Sequence, residues 1–376
     1  MKPRILIVTN IPAPYRIPVF NELGRTGQDV VVCFLAPGEA HRNWSVPFDE
    51  MRFAWRFLSG GASWPAWLRG AQAALAMFGF LVTYHPRIVI CGGYDSLAAW
   101  VCFLWAKVCR RRFVLWLESN GRTGRKSNVP KRCLKKLFVT LADAIAAAGT
   151  ATTTYVTALG ACAERVYWAP MSMDNDAFAR TANVLSREME GHKSHYPQRL
   201  LLYSGRLVEQ KGVFVLLDAF ARISKQDSDV GLLIAGDGPE REPMQALCRR
   251  QQLENVYFLG ARKYQEMPYF YELADLLVLP TFHDAWGMVI NEAFACGVPV
   301  VASEIAGACD DLILEGQTGF TVKARDAAAL AERVLVILKD PTLRSRMGAQ
   351  CRWLVQQYSP EATARGLLAA ATGQRT

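Results

Sequence analysis

Short apolar runs alternate along the chain with longer stretches in which apolar residues recur every three or four positions. The short runs are rich in Val, Ile and Leu, as buried parallel strands are, and the longer stretches predict helices. This alternation predicts α/β domains with parallel sheets and crossover helices. The predicted strands of the first series are Arg4–Thr9, Val30–Leu35, Ile88–Cys91, Phe113–Glu118, Ala144–Ala147 and Ala163–Trp168. Those of the second series are Leu200–Gly205, Gly231–Ala235, Val256–Leu259, Leu276–Pro280, Val298–Ala302 and Thr318–Val322.

The length of 376 residues is comfortable for two domains. A polar segment without strand pattern, residues 186–198, predicts a linker between the two series. We expect Rossmann-like domains at residues 1–185 and 199–357, and a C-terminal helix at 358–376 that packs back toward the N-terminal domain. Two doubly wound domains facing each other would place their strand carboxyl ends around one cleft, where such sheets bind ligands.

The net charge of +9 is unevenly spread: residues 1–180 carry a net +11 and residues 181–376 a net −2. Basic residues are densest from Lys107 to Lys136, where Glu118 is the only acid. This surface is either solvated or attracts anionic lipid headgroups, and the sequence leaves both open. We expect no nucleic-acid partner, because no reading motif accompanies the charge.

An aromatic and cationic strip in the first half suits either a membrane interface or a core, and both interpretations stay open. Its members are Trp44, Phe53, Trp55, Arg56, Phe57, Trp64, Trp67 and Arg69. No run reaches the ~18 apolar residues that a spanning helix needs. Because the N-terminus MKPRILIVTN reads as a strand at once, we expect no targeting peptide. The expected location is the cytoplasm, with a peripheral position at the inner face of the plasma membrane.

Ten cysteines without a C-x-x-C pair are typical of a reducing cytosol. Neither they nor the five histidines have metal-ligand spacing, so we expect no metal and no cofactor. The first strand of each series lacks a following G-x-G-x-x-G, which counts against an NAD enzyme.

The most informative stretch is residues 282–303, FHDAWGMVINEAFACGVPVVAS. It places Asp284 in a loop and Glu292 about one turn into a helix predicted to begin near Gly287 or Met288. The free amides of such a helix N-terminus favour a phosphate. Amides for phosphate and carboxylates for hydroxyls together suit a nucleotide sugar.

Two further glycine-rich turns follow predicted strands. In the first, GRLVEQKG, Arg206 and Lys211 place two cations beside a helix start, which suits a diphosphate but is equally compatible with a plain surface loop. The second, Gly236-Asp237-Gly238-Pro239, is more typical of a structural turn in which a neighbouring loop or ligand approaches the backbone.

The succession YSGRLVEQKG, LLIAGDGPE, VYFLGAR, ADLLVLPTFHDAWGMVINEAFACGVPVVAS and GQTGF resembles the C-terminal domain of retaining GT-B glycosyltransferases of the GT4 type (glycosyl transferases group 1). The similarity is continuous over roughly residues 198–340 and exists only in outline before them. It implies an α/β GT-B fold, with two doubly wound Rossmann-like domains facing across a cleft. It also implies metal-independent transfer from a nucleoside-diphosphate sugar.

The resemblance also implies roles for individual residues. Arg206 and Lys211 would hold the donor diphosphate, together with amides near Gly287 and Met288. Glu292 would accept hydrogen bonds from the ribose hydroxyls.

The base would meet the backbone around Arg262, and Asp284 would contact the donor sugar. Two positions depart from the family pattern. Asp284 stands where relatives carry the first glutamate of E-x7-E, and Glu118-Ser119 replaces a common His-Asp. Glu118 either orients the acceptor hydroxyl, or takes its proton, or is a structural ion-pair partner.

We therefore expect a retaining glycosyltransferase acting on a glycan or lipid-linked acceptor in surface-polysaccharide or glycolipid synthesis. One alternative is a nucleotide-sugar epimerase on the same architecture. Another is a non-catalytic subunit that binds a nucleotide or a membrane, which the departures at Asp284 and Glu118 would support.

Overall fold

A computed structural model of the chain describes residues 4–38, 46–58, 69–122, 129–188 and 195–374. The chain divides into two compact units, each built on one parallel sheet. The N-terminal unit comprises Met1–Ser119, Arg125–Met173 and Ser359–Thr376, and the C-terminal unit comprises Asn120–Gly124 and Asp174–Tyr358. These two parallel α/β sheets confirm the predicted fold class. Of the expected linker at 186–198, residues 189–194 lie outside the described ranges.

The sheet of the N-terminal unit has seven parallel strands in the order β3-β2-β1-β4-β5-β6-β7. They are β1 Arg4–Thr9, β2 Asp29–Phe34, β3 Ala54–Phe57, β4 Ile88–Gly92, β5 Arg112–Leu117, β6 Ala144–Ala147 and β7 Val166–Trp168. Ile5 of β1 pairs with Val30 on one side and Ile88 on the other. The strand order therefore reverses between β1 and β4, and the loops after these two strands diverge at the carboxyl edge.

Helices cover both faces of this sheet. They are α1 Ile17–Arg25, α2 Arg69–Tyr84, α3 Leu97–Val108, α4 Val129–Leu141, α5 Thr150–Ala158 and α14 Pro360–Thr372. On one face Met77 of α2, Cys102 of α3 and Phe138 of α4 share a buried cluster with the strands. On the other face Phe20 of α1 and Leu367 of α14 do the same. Both faces of each central strand are buried, which explains the continuous apolar runs in the sequence.

The sheet of the C-terminal unit has six parallel strands in the order β10-β9-β8-β11-β12-β13. The strands are β8 Arg199–Ser204, β9 Val230–Ala235, β10 Val256–Gly260, β11 Leu276–Leu279, β12 Val300–Ser303 and β13 Gly319–Val322. The helices are α6 Asn175–Glu188, α7 Val213–Ser224, α8 Arg241–Gln251, α9 Met267–Leu273, α10 Met288–Ala295, α11 Cys309–Leu312, α12 Ala327–Leu338 and α13 Pro341–Val355. The order reverses between β8 and β11, so the loops after these two strands form the ligand-prone edge of the unit.

Two elements of the N-terminal unit escaped the sequence pattern. Strand β3 lies at the sheet edge and is largely exposed, and its four residues, AWRF, lack the Val, Ile and Leu that mark the other strands. Helix α5 is rich in threonine, whose branched side chain lowers helix propensity, and tertiary packing of Val156 stabilises it instead.

The aromatic strip divides between a core and a sheet edge. Phe53 is buried in the core, and Trp55 packs edge-on against Phe57 at 5.3 Å between ring centroids. Trp44, Trp64 and Trp67, together with the side chain of Arg69, lie outside the described residues. In the part of the chain that is described, each helix is too short or too polar to cross a bilayer.

Candidate functional site

The site of the C-terminal unit is built from the loops that follow β8 and β11. Gly212 ends the first loop with φ of 70°, and a Cβ at this position would overlap the carbonyl oxygen of Pro280 in the second. The backbone N–H of Phe282 donates to the carbonyl of Gln210 at 2.8 Å. Glycine is therefore required at 212 because the two loops contact each other through their backbones.

Lys211 and Asp284 meet where these loops touch. Lys211 Nζ contacts Asp284 Oδ2 at 2.5 Å and His283 O at 3.4 Å, and both side chains of the ion pair are about four-fifths buried. The sequence places these two residues in separate motifs, and the structure brings them into one polar cluster. The arrangement fixes a cation and a carboxylate side by side at the strand carboxyl edge.

Helix α10 starts at Met288, as predicted, and Gly287 precedes it with φ of 100°. The helix ends at Ala295, before Gly297 with φ of 72°. Its first amides lack intrahelical partners by geometry, so they can bind an anion. Gly287 and Met288 therefore lie on the loop-to-helix turn that carries Asp284, the ion-pair partner of Lys211.

Asn120 fixes the backbone of this turn. Its buried amide donates to the carbonyls of Asp284 and Ala285, each at 3.0 Å, and its Oδ1 accepts from the N–H of Arg122 at 3.0 Å. Arg122 in turn forms a bidentate pair with Asp310, with both contacts at 2.7 Å. The short segment 120–124 thus belongs to the C-terminal unit through side-chain hydrogen bonds to the Asp284 loop.

Glu292 lies one turn further along α10, in an apolar and aromatic setting. Tyr271 on α9 donates its hydroxyl to Glu292 Oε2 at 2.7 Å. Burial raises the pKa of Glu292 to about 7, although the hydrogen bond from Tyr271 lowers it. Burial, and to a smaller extent the charge of Glu292, raises the pKa of Tyr264. The carboxylate therefore acts on Tyr264 as well as on Tyr271. Glu292 is thus a hydrogen-bond acceptor whose protonation changes near neutral pH.

The remaining predicted cations are exposed. Arg206 follows β8, and its carbonyl accepts from the hydroxyl of Tyr203 at 2.9 Å. Arg262 follows β10, with its guanidinium 5.5 Å from the ring centroid of Phe270. Neither is held by an ion pair among the described residues, so both guanidinium groups are available to an anionic ligand.

The Gly236–Gly238 turn is occupied by a neighbouring loop. A Cβ at Gly236 would overlap the carbonyl oxygen of Gly205, and one at Gly238 would overlap that of Leu207. The N–H of Leu207 donates to the carbonyl of Asp237 at 2.9 Å. This turn supports the loop that carries Arg206.

Glu118 belongs to the N-terminal unit, after β5, and forms an ion pair with Arg16. Arg16 also donates to Thr9 Oγ1 at 2.5 Å and lies 4.6 Å from the ring centroid of Trp116. Burial lowers the pKa of Arg16, but the charges and hydrogen bonds of Glu118 and Tyr15 together more than offset it, and the pKa is raised overall. The observed contacts of Glu118 are those of an ion-pair partner, which is one of the three roles that the sequence left open.

Three residues of these clusters were not anticipated: Arg16, Asn120 and Tyr271. Each acts through a contact between distant parts of the chain; Asn120, for example, is 164 positions from Asp284. Arg16 stands in the segment NIPAPYRIPVF, where one arginine among apolar residues was a signal of a buried cation. Asn120 and Tyr271 carry no comparable signal.

Residues 186–353 match the sequence family described as "Glycosyl transferases group 1". Glycogen synthase of Mycobacterium tuberculosis is 34% identical over 181 residues, which cover 46% of this chain and 44% of that protein. Alpha-D-kanosaminyltransferase of Streptomyces kanamyceticus is 33% identical over 175 residues, with 46% and 44% covered. The match thus spans less than half the length of these relatives.

The fold is similar over nearly the whole chain to a solved structure, Anabaena HepE in complex with UDP and glucose. The TM-score is 0.76 at 18% sequence identity, with 99% of this chain and all of the other covered. At that identity the similarity shows the fold alone, and the fold is that of GT-B glycosyltransferases. Residues 186–353 of this chain, which has the fold of GT-B glycosyltransferases, are therefore similar in sequence to the glycosyl transferases group 1 family.

Proposed function

We propose that the protein is a retaining glycosyltransferase that moves a sugar from a nucleoside diphosphate to a glycan or lipid-linked acceptor. The observation that carries this proposal is the contact of Lys211 with Asp284 beside the N-terminus of α10, with Glu292 on the same helix. The cation, the free amides and the two carboxylates then supply partners for a diphosphate, a sugar and a ribose. The UDP complex of Anabaena HepE supports a nucleotide-sugar donor.

In this proposal the diphosphate binds Lys211, Arg206 and the amides of Gly287 and Met288. Charge builds up on the diphosphate as the bond to the sugar breaks, and these groups stabilise that charge without reorganising. No metal ion is then required, because the cations and amides neutralise the leaving group. Lys211 is kept in position by Asp284, so its ammonium is already oriented before the bond breaks.

Glu292 and the backbone around Arg262 would bind the nucleoside. Glu292 accepts from the ribose hydroxyls, and the backbone around Arg262 meets the base. Asp284 faces the sugar, where its carboxylate accepts from a hydroxyl. The acceptor hydroxyl attacks the anomeric carbon from the face that the diphosphate leaves and passes its proton to the departing diphosphate oxygen, and the configuration is retained.

We infer a positional role for Glu118, because its carboxylate is already paired with Arg16. We place the enzyme at the inner face of the plasma membrane, in surface-polysaccharide or glycolipid synthesis.

A binding and turnover assay tests the proposal. UDP and GDP, and then a panel of their sugars, are titrated by calorimetry, and release of the diphosphate is followed with candidate lipid-linked acceptors. We expect tight binding of one nucleotide and acceptor-dependent release, with the product's anomeric configuration retained by NMR. Wild-type rates in both Lys211→Ala and Glu292→Ala would contradict the assignment of the site.

The same assay without an acceptor separates the alternatives. An epimerase would release an altered sugar from the donor alone, whereas a transferase needs the acceptor. A non-catalytic subunit would bind the nucleotide and release nothing under either condition.

A further inference from the structure

Three neighbouring helices of the N-terminal unit present apolar side chains to the outside. On α2 these are Leu75, Phe78 and Val82; on α3 they are Leu97, Leu104 and Val108; on α4 they are Leu134, Leu137 and Leu141. Within each helix these residues are three, four, seven or eleven positions apart. Such spacings place their side chains on one stripe of the helix. Leu75 is 70% exposed and Val108 is 82% exposed. We call these nine residues the apolar face.

The apolar face is continuous across the three helices because they pack side by side on one face of the sheet. Helix α2 packs against α3, and Phe103 of α3 stacks on Phe138 of α4 with centroids 4.7 Å apart. The inward side of all three helices fills a single buried cluster. Their outward apolar residues are therefore not needed for the core, and so large an exposed set is uncommon on a protein that has no partner there.

The charge of these helices has one sign. Helices α2, α3 and α4 contain no aspartate or glutamate, and α2 has no charged residue after Arg69. Arg132 and Lys136 are exposed on α4, the helix that also carries Leu134 and Leu137. Solvated helices ordinarily carry both signs, so this composition favours a negatively charged, apolar counterpart.

A basic concavity lies at the end of α3, next to Val108. Its volume is about 360 Å³, and it is lined by Ala106, Lys107, Arg110, Arg111, Arg112 and Asp143. Lys107 is paired with Asp143 at 2.8 Å. Arginines in such a setting suit a phosphate group. An apolar stripe that ends at a basic concavity matches the two halves of a phospholipid.

We propose that the apolar face of α2, α3 and α4 docks on a bilayer of anionic phospholipid. The apolar side chains enter the boundary between headgroups and acyl chains, and the basic residues of α3 and α4 contact the headgroup phosphates. This surface lies outside the candidate nucleotide site, which belongs to the C-terminal unit. The inference locates the membrane contact that the proposed function requires, but its test does not depend on turnover.

Vesicle co-sedimentation tests the proposal with the full chain. Vesicles of equal parts phosphatidylcholine and phosphatidylglycerol are compared with vesicles of phosphatidylcholine alone. We expect binding to the anionic vesicles, weakened about tenfold or more when the phosphatidylglycerol is omitted or the salt is raised. Wild-type protein that stays in the supernatant with anionic vesicles would overturn the proposal.

Two sets of variants assign the binding to this face. The triple variant Leu75→Gln, Phe78→Gln and Val82→Gln should bind anionic vesicles about tenfold more weakly. Arg132→Gln with Lys136→Gln should lose much of the preference for phosphatidylglycerol. The matched control is Val336→Gln with Trp353→Gln, which changes exposed apolar residues of the C-terminal unit and should bind as wild type does. A triple variant that binds like the control would overturn the assignment.

Two further measurements distinguish lipid binding from misfolding and from self-association. Titration with UDP in the same samples checks that every variant is folded, and its failure in the wild type would count against the proposed function while leaving the vesicle result intact. Sedimentation velocity detects a second copy as the occupant. One result would overturn the proposal: the wild type is a dimer that does not bind vesicles, and the triple variant is a monomer. The apolar face would then contact a second copy of the chain instead of lipid.

Discussion

Lys211 Nζ and Asp284 Oδ2 lie 2.5 Å apart although 73 positions separate the two residues in the chain. The pair is mostly buried, so each charge depends on the other for its compensation. Asp284 also lies in the loop that leads into Met288, where α10 begins. Under the proposed function the same two side chains contribute to stability and to donor binding, and variants can separate the two contributions.

Replacing one partner should cost both stability and turnover. We expect Lys211→Met or Asp284→Asn to lower the free energy of unfolding by about 1 to 3 kcal/mol, because the remaining charge stays desolvated. The double variant should recover part of that stability, since neither charge is left unpaired. Its kcat/KM should nevertheless remain about 100-fold or more below wild type, because the cation at the diphosphate is gone. Denaturant unfolding and steady-state kinetics on the same samples measure both; a double variant with wild-type kcat/KM contradicts the role given to Lys211.

Nucleotide binding should depend on pH through Glu292. Its pKa of about 7 means that the carboxylate, which is the better acceptor for ribose hydroxyls, forms as the pH rises through neutrality. We expect UDP affinity to increase over that range, measured by calorimetry. The expected effect of Glu292→Gln is a flat profile. Tyr271→Phe should move the rise to higher pH, because the lost hydrogen bond lowered the pKa of Glu292. A profile in Glu292→Gln identical to wild type would exclude Glu292 as the titrating group.

The same group makes stability depend on pH, with a definite sign. In the unfolded chain Glu292 ionises in the ordinary carboxyl range, whereas in the folded chain burial raises its pKa to about 7. Between those values the folded state holds the extra proton, so the contribution of Glu292 to stability is lost as the pH rises toward 7. This loss is absent in Glu292→Gln. The free energy of unfolding at pH 7 minus that at pH 5 should therefore be more positive in the variant than in the wild type. Urea unfolding at the two pH values measures this difference.

Asn120 should be a structural anchor of the Asp284 loop. Asn120→Ala leaves buried carbonyls at Asp284 and Ala285 without their donor, so we expect a loss of about 1 to 3 kcal/mol in the free energy of unfolding. The control is Arg122→Ala, which breaks a more exposed ion pair with Asp310 and should cost about 0 to 1 kcal/mol. Equal losses in both variants, measured by denaturant unfolding, would show that the amide contacts add nothing.

Gly212 and Gly316 form a matched test of loop contact. Both have positive φ, 70° and 72°, but a Cβ would overlap Pro280 O at Gly212 and meets nothing within 4 Å at Gly316. We expect Gly316→Ala to cost about 1 kcal/mol from backbone conformation alone. Gly212→Ala should cost clearly more and also weaken UDP binding, since the two loops must separate. Similar losses of unfolding free energy in the two variants would argue against a contact between the loops.

The sequence alone determined the fold class, most strand positions, the start of α10 and the motifs of the C-terminal unit. The predicted strand Val298–Ala302, for example, differs from the observed β12 by only one or two residues at an end, and α10 begins at Met288 as predicted. These features are local: apolar periodicity and glycine positions specify strands, helices and turns within a few residues of chain. Edge strand β3 and the threonine-rich α5 fell outside this rule, because tertiary packing decides them.

Only the tertiary structure decided which side chains meet. The pairing of Lys211 with Asp284, of Glu118 with Arg16 and of Asn120 with the Asp284 loop joins residues that no short motif contains. Likewise, the strand order determines which loops share an edge, and helix packing determines which apolar residues remain outside. The physical reason is that hydrogen bonds and ion pairs act over a few ångströms in space, whereas periodicity acts along the chain.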